Sequence, residues 1–235
     1  MPFEEKINTQ LSPSELSTNR RNFIAGLWHG AFLAFGMALT DPTTVISAFV
    51  TNLTGSTVWV GGFSTVLTVA GALPQLFVAR WLEPKPRKLP YLLAAISLRV
   101  ISWGVLAWLI FTTGTQHPIT LAWIFVGMLV IFYAGGGLAN IPYTDIIGKV
   151  IPLKRRGAFF GGKGALAGPL SVGAALLARQ ILADVPYPNN YAFLFGLAAI
   201  GLAIASLGFW AIQEPLSTAV ENTMLSWHEY WHQLL

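Results

Sequence analysis

Cysteine is absent from the sequence, which excludes disulfide frameworks and thiolate metal sites. Charge is scarce as well. Only 10% of the 235 residues are Asp, Glu, Lys or Arg, against roughly 25% in an ordinary soluble domain. A soluble fold needs a polar exterior, so 54% hydrophobic residues and a mean hydropathy of +0.59 exclude a globular protein of the usual kind. There is no serine–histidine–acid set, no metal cluster and no phosphate-cradling loop, and the connections between apolar runs are too short to build an active site. The expectation is no enzyme, no cofactor and no metal. Residues 1–21 lack the basic start, apolar middle and cleavage site of a secretory signal, so they read as a disordered cytoplasmic lead-in.

What the chain does contain is apolar runs of membrane-spanning length, about 20 residues each. They fall at about Asn22–Val50, Thr57–Ala79, Pro90–Phe111, Pro118–Ile147, Ala158–Leu182 and Tyr191–Ile212, which predicts an all-α membrane protein with a six-helix transmembrane domain over 22–212. The lipid bilayer is then the first partner. The connections after the second and fourth runs hold Arg80, Lys85, Arg87, Lys88, Lys149, Lys154, Arg155 and Arg156, whereas those after the first, third and fifth hold no Lys or Arg. Basic residues in short loops resist translocation. Both basic loops and both termini are therefore expected in the cytoplasm, with the chain in a bacterial inner membrane. The net charge of +4 sits at span ends rather than along a stripe, so no nucleic-acid partner is expected.

Residues 213–235 differ in character. Met224, Trp227, Trp231 and Leu234 recur at helical spacing, as in an amphipathic helix lying at the interface or the start of an interdomain linker. His228 and His232 stand four apart there, but no third ligand is near, and interfacial polarity is the better reading.

Polar groups inside spans are costly and usually face a cavity or a partner. Asp41 precedes Pro42 within the first span, where the missing proline N–H predicts a bend. It reads either as a substrate or coupling group or as the cap of a helix that resumes at Pro42. Arg99 lies about nine residues, roughly 13 Å, inside the third span, too deep to snorkel easily, so an intramembrane ion pair with Asp41 or Asp145 is expected. Asp145 and Lys163, near the basic ends of their spans, read with Arg156 as a cytoplasmic gate, or as residues that simply snorkel to the headgroups. Tyr133, Gly137, Asn140 and Thr144 are spaced four, three and four, hence share one helix face. Helix packing through Gly137 or a hydrated substrate pathway would each explain them. His29 reads as a hydrogen-bonded structural residue. The pairs Gly26/Gly30 and Gly164/Gly168, the second followed by Pro169, permit close helix approach.

The stretch Ile151–Leu177, with Pro152, Arg156 and Gly157 in a Pro-x-x-x-Arg-Gly turn and then Gly164-x-x-x-Gly168-Pro169, resembles the major facilitator superfamily; Ala211–Pro215 is similar to the close of its sixth helix. The resemblance covers nearly the whole chain, as the amino-terminal half of that fold. It implies two inverted three-helix repeats and a secondary transporter, or half of one, moving a small-molecule substrate by alternating access. It also implies a partner, either as a homodimer or with a complementary six-helix half. Two departures stand out. Pro74–Lys88 keeps the basic end of the superfamily's hallmark loop but not its glycines or aspartate. Tyr133–Gly137 stands where proton-coupled drug exporters carry an arginine. A non-transporting scaffold or assembly factor of the same fold, or a truncated transporter, is the competing expectation. A topology reporter fused at Lys154–Arg156 should report the cytoplasmic side, and one at Thr112–His117 the opposite side; the reverse pattern overturns the orientation.

Overall fold

The computed structural model describes residues 13–216, which are helical with short connections and contain no strand. The helices are α1 (Pro13–Leu39), α2 (Ser47–Thr54), α3 (Thr57–Leu82), α4 (Leu89–Thr113), α5 (Pro118–Val150), α6 (Arg156–Asp184) and α7 (Asn189–Ala211). A π-helical turn, Pro42–Ile46, joins α1 to α2, so these pieces together make the first span. Six helical stretches are long and apolar enough to cross a membrane. The expected tail helix around Met224, Trp227, Trp231 and Leu234 lies outside the described residues. At the other end α1 begins at Pro13, so residues 13–21, expected as disordered lead-in, belong to the first helix.

The break in the first span follows from local chemistry. Pro42 supplies no backbone donor, and the chain at Asp41 is extended (φ −60°, ψ 127°). Asp41 Oδ1 then accepts from the backbone N–H groups of Thr43 and Thr44, each at 3.0 Å, and from their hydroxyls at 2.6 and 3.0 Å. These are the donors a restarting helix leaves unpaired. Ser47 Oγ donates to the Pro42 carbonyl at 2.7 Å. The second piece of the span ends at Gly55, whose φ of 67° is the left-handed cap that favours glycine.

Packing is pairwise. α1 lies against α6 and α7, α4 against α5 and α7, and α3 against α5. Near the loops that lack Lys and Arg the core is aromatic. Phe49 meets Phe125, Tyr191 and Phe195 at centroid distances of 5.0, 4.9 and 5.4 Å, and Trp103 stacks on Phe195 at 4.9 Å. A second cluster around Ala25, Ile96, Ile147, Phe159 and Phe209 fills the end that carries the basic loops, called here the basic end. Because lipid tails are as apolar as leucine, association inside the membrane depends on close fit. A Cβ at Gly26 would stand 2.7 Å from the Phe159 ring, and one at Gly201 2.9 Å from Phe35. The three consecutive glycines of α5 serve three different neighbours. Gly135 admits α4, where Ala95 O and Arg99 Cγ would each be 3.0 Å from a Cβ; Gly136 faces the Arg99 head; Gly137 lies against the Gly71 carbonyl of α3.

α3 and α6 are the least buried spans. On α6, Gly157, Gly161, Gly164 and Gly168 form a stripe that has nothing within 4 Å of a built Cβ. Gly26 and Gly30 pack inside the bundle, against Phe159 and Lys163, whereas Gly164 and Gly168 face outward.

Two substitutions should therefore have opposite signs. Gly137→Ala drives a methyl into backbone and should lower stability by about 1–3 kcal/mol. Gly164→Ala should leave the single chain unharmed or up to about 1 kcal/mol more stable, from helix propensity. Thermal unfolding of the purified protein in detergent reads both, and a Gly137→Ala variant as stable as the parent would contradict the close α3–α5 approach.

Candidate functional site: a polar cleft between α3 and α5

A cleft of about 620 Å³ opens between α3 and α5, with Pro42 of the broken first span at its edge. Its α5 wall is the expected polar face: Tyr133, Gly136, Gly137 and Asn140 line it. Across it stand Leu67, Thr68, Gly71, Ala72 and Gln75 of α3. Asn140 Nδ2 donates to Gln75 Oε1 at 3.1 Å, and Gln75 Nε2 donates to the Gly71 carbonyl at 2.9 Å, an amide chain bridging the two helices. Gln75 was not among the expected site residues. Its signal in the sequence is an uncharged amide one residue after a proline inside an apolar run. Thr144 does not line the cleft; its hydroxyl turns back to the Asn140 carbonyl at 2.7 Å. Asp41 is next to the cleft-lining Pro42, yet its Oδ1 is committed to the cap described above.

The expected ion pair of Arg99 with Asp41 or Asp145 is not formed. The guanidinium donates to Met37 Sδ at 3.1 Å and lies 4.4 Å above the Phe132 ring, and its Nε is buried without a hydrogen-bond partner. No carboxylate among the described residues is within ion-pair distance of it. The reason is that both candidate acids are otherwise engaged. Asp41 restarts the first span, and Asp145 belongs to the basic end, pairing with Lys88 at 3.3 Å and with Lys149 one turn on.

The expected gate of Asp145, Lys163 and Arg156 is likewise replaced by separate interactions. Lys163 Nζ donates to the Tyr143 hydroxyl at 2.9 Å, and its stem fills the space above Gly30. Arg156 Nη2 and Nε cap the end of α5 on the carbonyls of Gly148 (2.7 Å) and Ile151 (3.3 Å). His29 Nδ1 donates to the Ala205 carbonyl at 3.0 Å and packs on Phe209, a structural role joining α1 to α7.

A different residue organises the basic end. Glu214, just after α7, has a side chain only 2% exposed. Its carboxylate accepts from the backbone N–H of Lys88 (3.0 and 2.9 Å) and of Leu89 (2.8 Å), and pairs with Lys149 at 3.3 Å. It thus supplies the N-terminal cap that α4 lacks locally, where a carboxylate is favoured. Beside it, Asn22 and Gln213 exchange two hydrogen bonds, of 3.2 and 3.0 Å, that tie the chain after α7 to α1.

Six helical stretches long and apolar enough to cross a membrane mark a multi-pass membrane protein. No family profile, no curated protein and no solved structure matches the chain.

Glu214→Gln should lower thermal stability by about 1.5–3 kcal/mol, the range for hydrogen bonds to charged groups. Amide hydrogen exchange at Lys88 and Leu89 should accelerate in the same variant. Unchanged exchange there would contradict the capping role.

Proposed function

We propose that the chain is a secondary transporter, or the six-helix half of one, which moves a small solute through the α3–α5 cleft by alternating access. The observation that carries this reading is the cleft itself: an open groove between α3 and α5, mostly apolar, into whose lining Thr68, Gln75, Tyr133 and Asn140 bring hydroxyl and amide groups. Discontinuous first spans beside such a cleft are the usual way to place polar backbone at mid-membrane depth, and Asp41–Pro42 supplies one here. A major-facilitator-type arrangement is supported by the pairing of helices. Exchanging the first three spans for the last three in order (one for four, two for five, three for six) maps the extensive contacts onto one another. This is what two inverted repeats require.

On this reading the basic end faces the cytoplasm of a bacterial inner membrane, as the positive-inside rule favours. The little-buried faces of α3 and α6 meet either a second copy or a complementary half. A non-transporting scaffold is the competing reading. It is favoured by the Pro74–Lys88 loop, which lacks the hallmark glycines and aspartate, and by the Glu214 network, which fastens the basic end.

The absence of cysteine makes the test clean. Ala72→Cys puts a single thiol on the cleft wall. In a transporter, a membrane-impermeant maleimide should label it from both faces, in spheroplasts and in inverted vesicles. Labelling from one face only would favour the scaffold and remove alternating access.

A further inference from the structure

We infer that the α3–α5 cleft, with Arg99 behind it, is a binding site for a small organic monoanion: a carboxylate or similar group on an apolar body. The inference rests on the proposed role of the cleft and names the chemical class of its occupant.

Arg99 is the starting point. A guanidinium in an apolar interior is retained against a substantial cost and normally has an acid beside it. Here the neighbours are a thioether and a ring face. Sulfur is a weak acceptor, and a ring face attracts a cation without neutralising it. The charge is therefore only weakly stabilised and left uncompensated, and one nitrogen, Nε, has no partner. Asp41 and Asp145, the two acids expected to meet it, have other duties, so no carboxylate among the described residues supplies the counter-charge.

Position links this cation to the cleft. Gly136 lines the cleft, and a Cβ there would stand 3.9 Å from both Arg99 Cζ and Nε. Arg99 stands behind the lining rather than in it, and the missing side chain at 136 leaves its guanidinium separated from the cleft by the α5 backbone at Gly136 alone. Tyr133 lines the same wall. The Gly135–Gly136 pair thus does more than admit a helix: it clears a place for a cation beside the space.

The rest of the lining defines the occupant. One cation matches a single negative charge; a phosphate dianion is ordinarily met by several donors or more than one cation. Asp41, at the cleft edge, disfavours a second negative charge further. Pro42, Leu67 and Ala72 provide apolar surface for a body, and the Gln75–Asn140 pair offers amide groups for a polar substituent. The volume of about 620 Å³ lies within the usual small-molecule range.

The test uses the purified full chain in detergent with benzoate and hexanoate as probes, and benzamide and hexanamide as neutral matches of the same shape. The anions should raise the unfolding temperature saturably and the amides should not. Arg99→Gln should weaken anion binding by about tenfold or more, and Arg99→Lys should recover part of it. Should Arg99→Gln not fold, Gly136→Val, which interposes a side chain between guanidinium and cleft, should lose anion binding with the fold kept. The inference is overturned if neither anion binds, if the amides bind as well as the anions, or if binding survives in Arg99→Gln. Its failure is separable from that of the transport reading. Absent anion binding with Ala72→Cys labelled from both faces removes the anion and leaves transport; anion binding with labelling from one face does the reverse.

Discussion

Hydrocarbon offers no partner to a peptide N–H or C=O, so every backbone group in a spanning segment must find one within the protein. That requirement makes this chain helical, and it explains the one place where a helix within the described spans is broken. At Pro42 the first span loses its register, and the orphaned amides of Thr43 and Thr44 fall to a single carboxylate oxygen of Asp41. An acid that looks expensive in the membrane is thereby bound into the backbone ladder. The break in turn brings irregular chain to the edge of the cleft.

The same solvent leaves little apolar driving force between helices, so fit decides how they associate. The bundle answers with small residues where backbones meet: Gly208 against the Ala25 carbonyl, Gly36 near the Ala198 carbonyl, Gly137 against Gly71. Charges sort by depth. At the basic end Lys88, Asp145, Lys149 and Glu214 form a joined set. Deeper in, Arg99 stands apart with a sulfur and an aromatic ring. These are two different solutions for ionised groups in one small domain.

The spans were legible because their signal is local: apolar length and the basic residues that punctuate it. The bend at Asp41–Pro42 was legible for the same reason, since proline chemistry needs no knowledge of neighbours. The four-three-four spacing put Tyr133, Gly137 and Asn140 on one face, and that face walls the cleft. Span ends were less legible. α3 continues to Leu82 and α6 runs from Arg156 to Asp184, because helices extend past the apolar stretch into the interfacial region. Beyond the local cap at Asp41, the partners of charged residues were not legible. Arg99 was expected to meet an acid by elimination, but which acids are free depends on donors that sequence does not rank. Glu214 is the clearest instance: its amide partners lie 125 and 126 positions earlier in the chain. Gly164 and Gly168 carry the same pattern as Gly26 and Gly30, yet one pair packs within the bundle and the other does not; a motif states capability, not occupancy.

The anchoring of Glu214 also governs how the sixth span communicates with what lies beyond it. Because that carboxylate grips the first turn of α4 and the Lys149 ammonium together, a pull on the segment after residue 216 would act first on the third and fourth spans, not on α7 alone. The end of the sixth span is thereby tied to the two helices that hold Arg99 and its glycine seat.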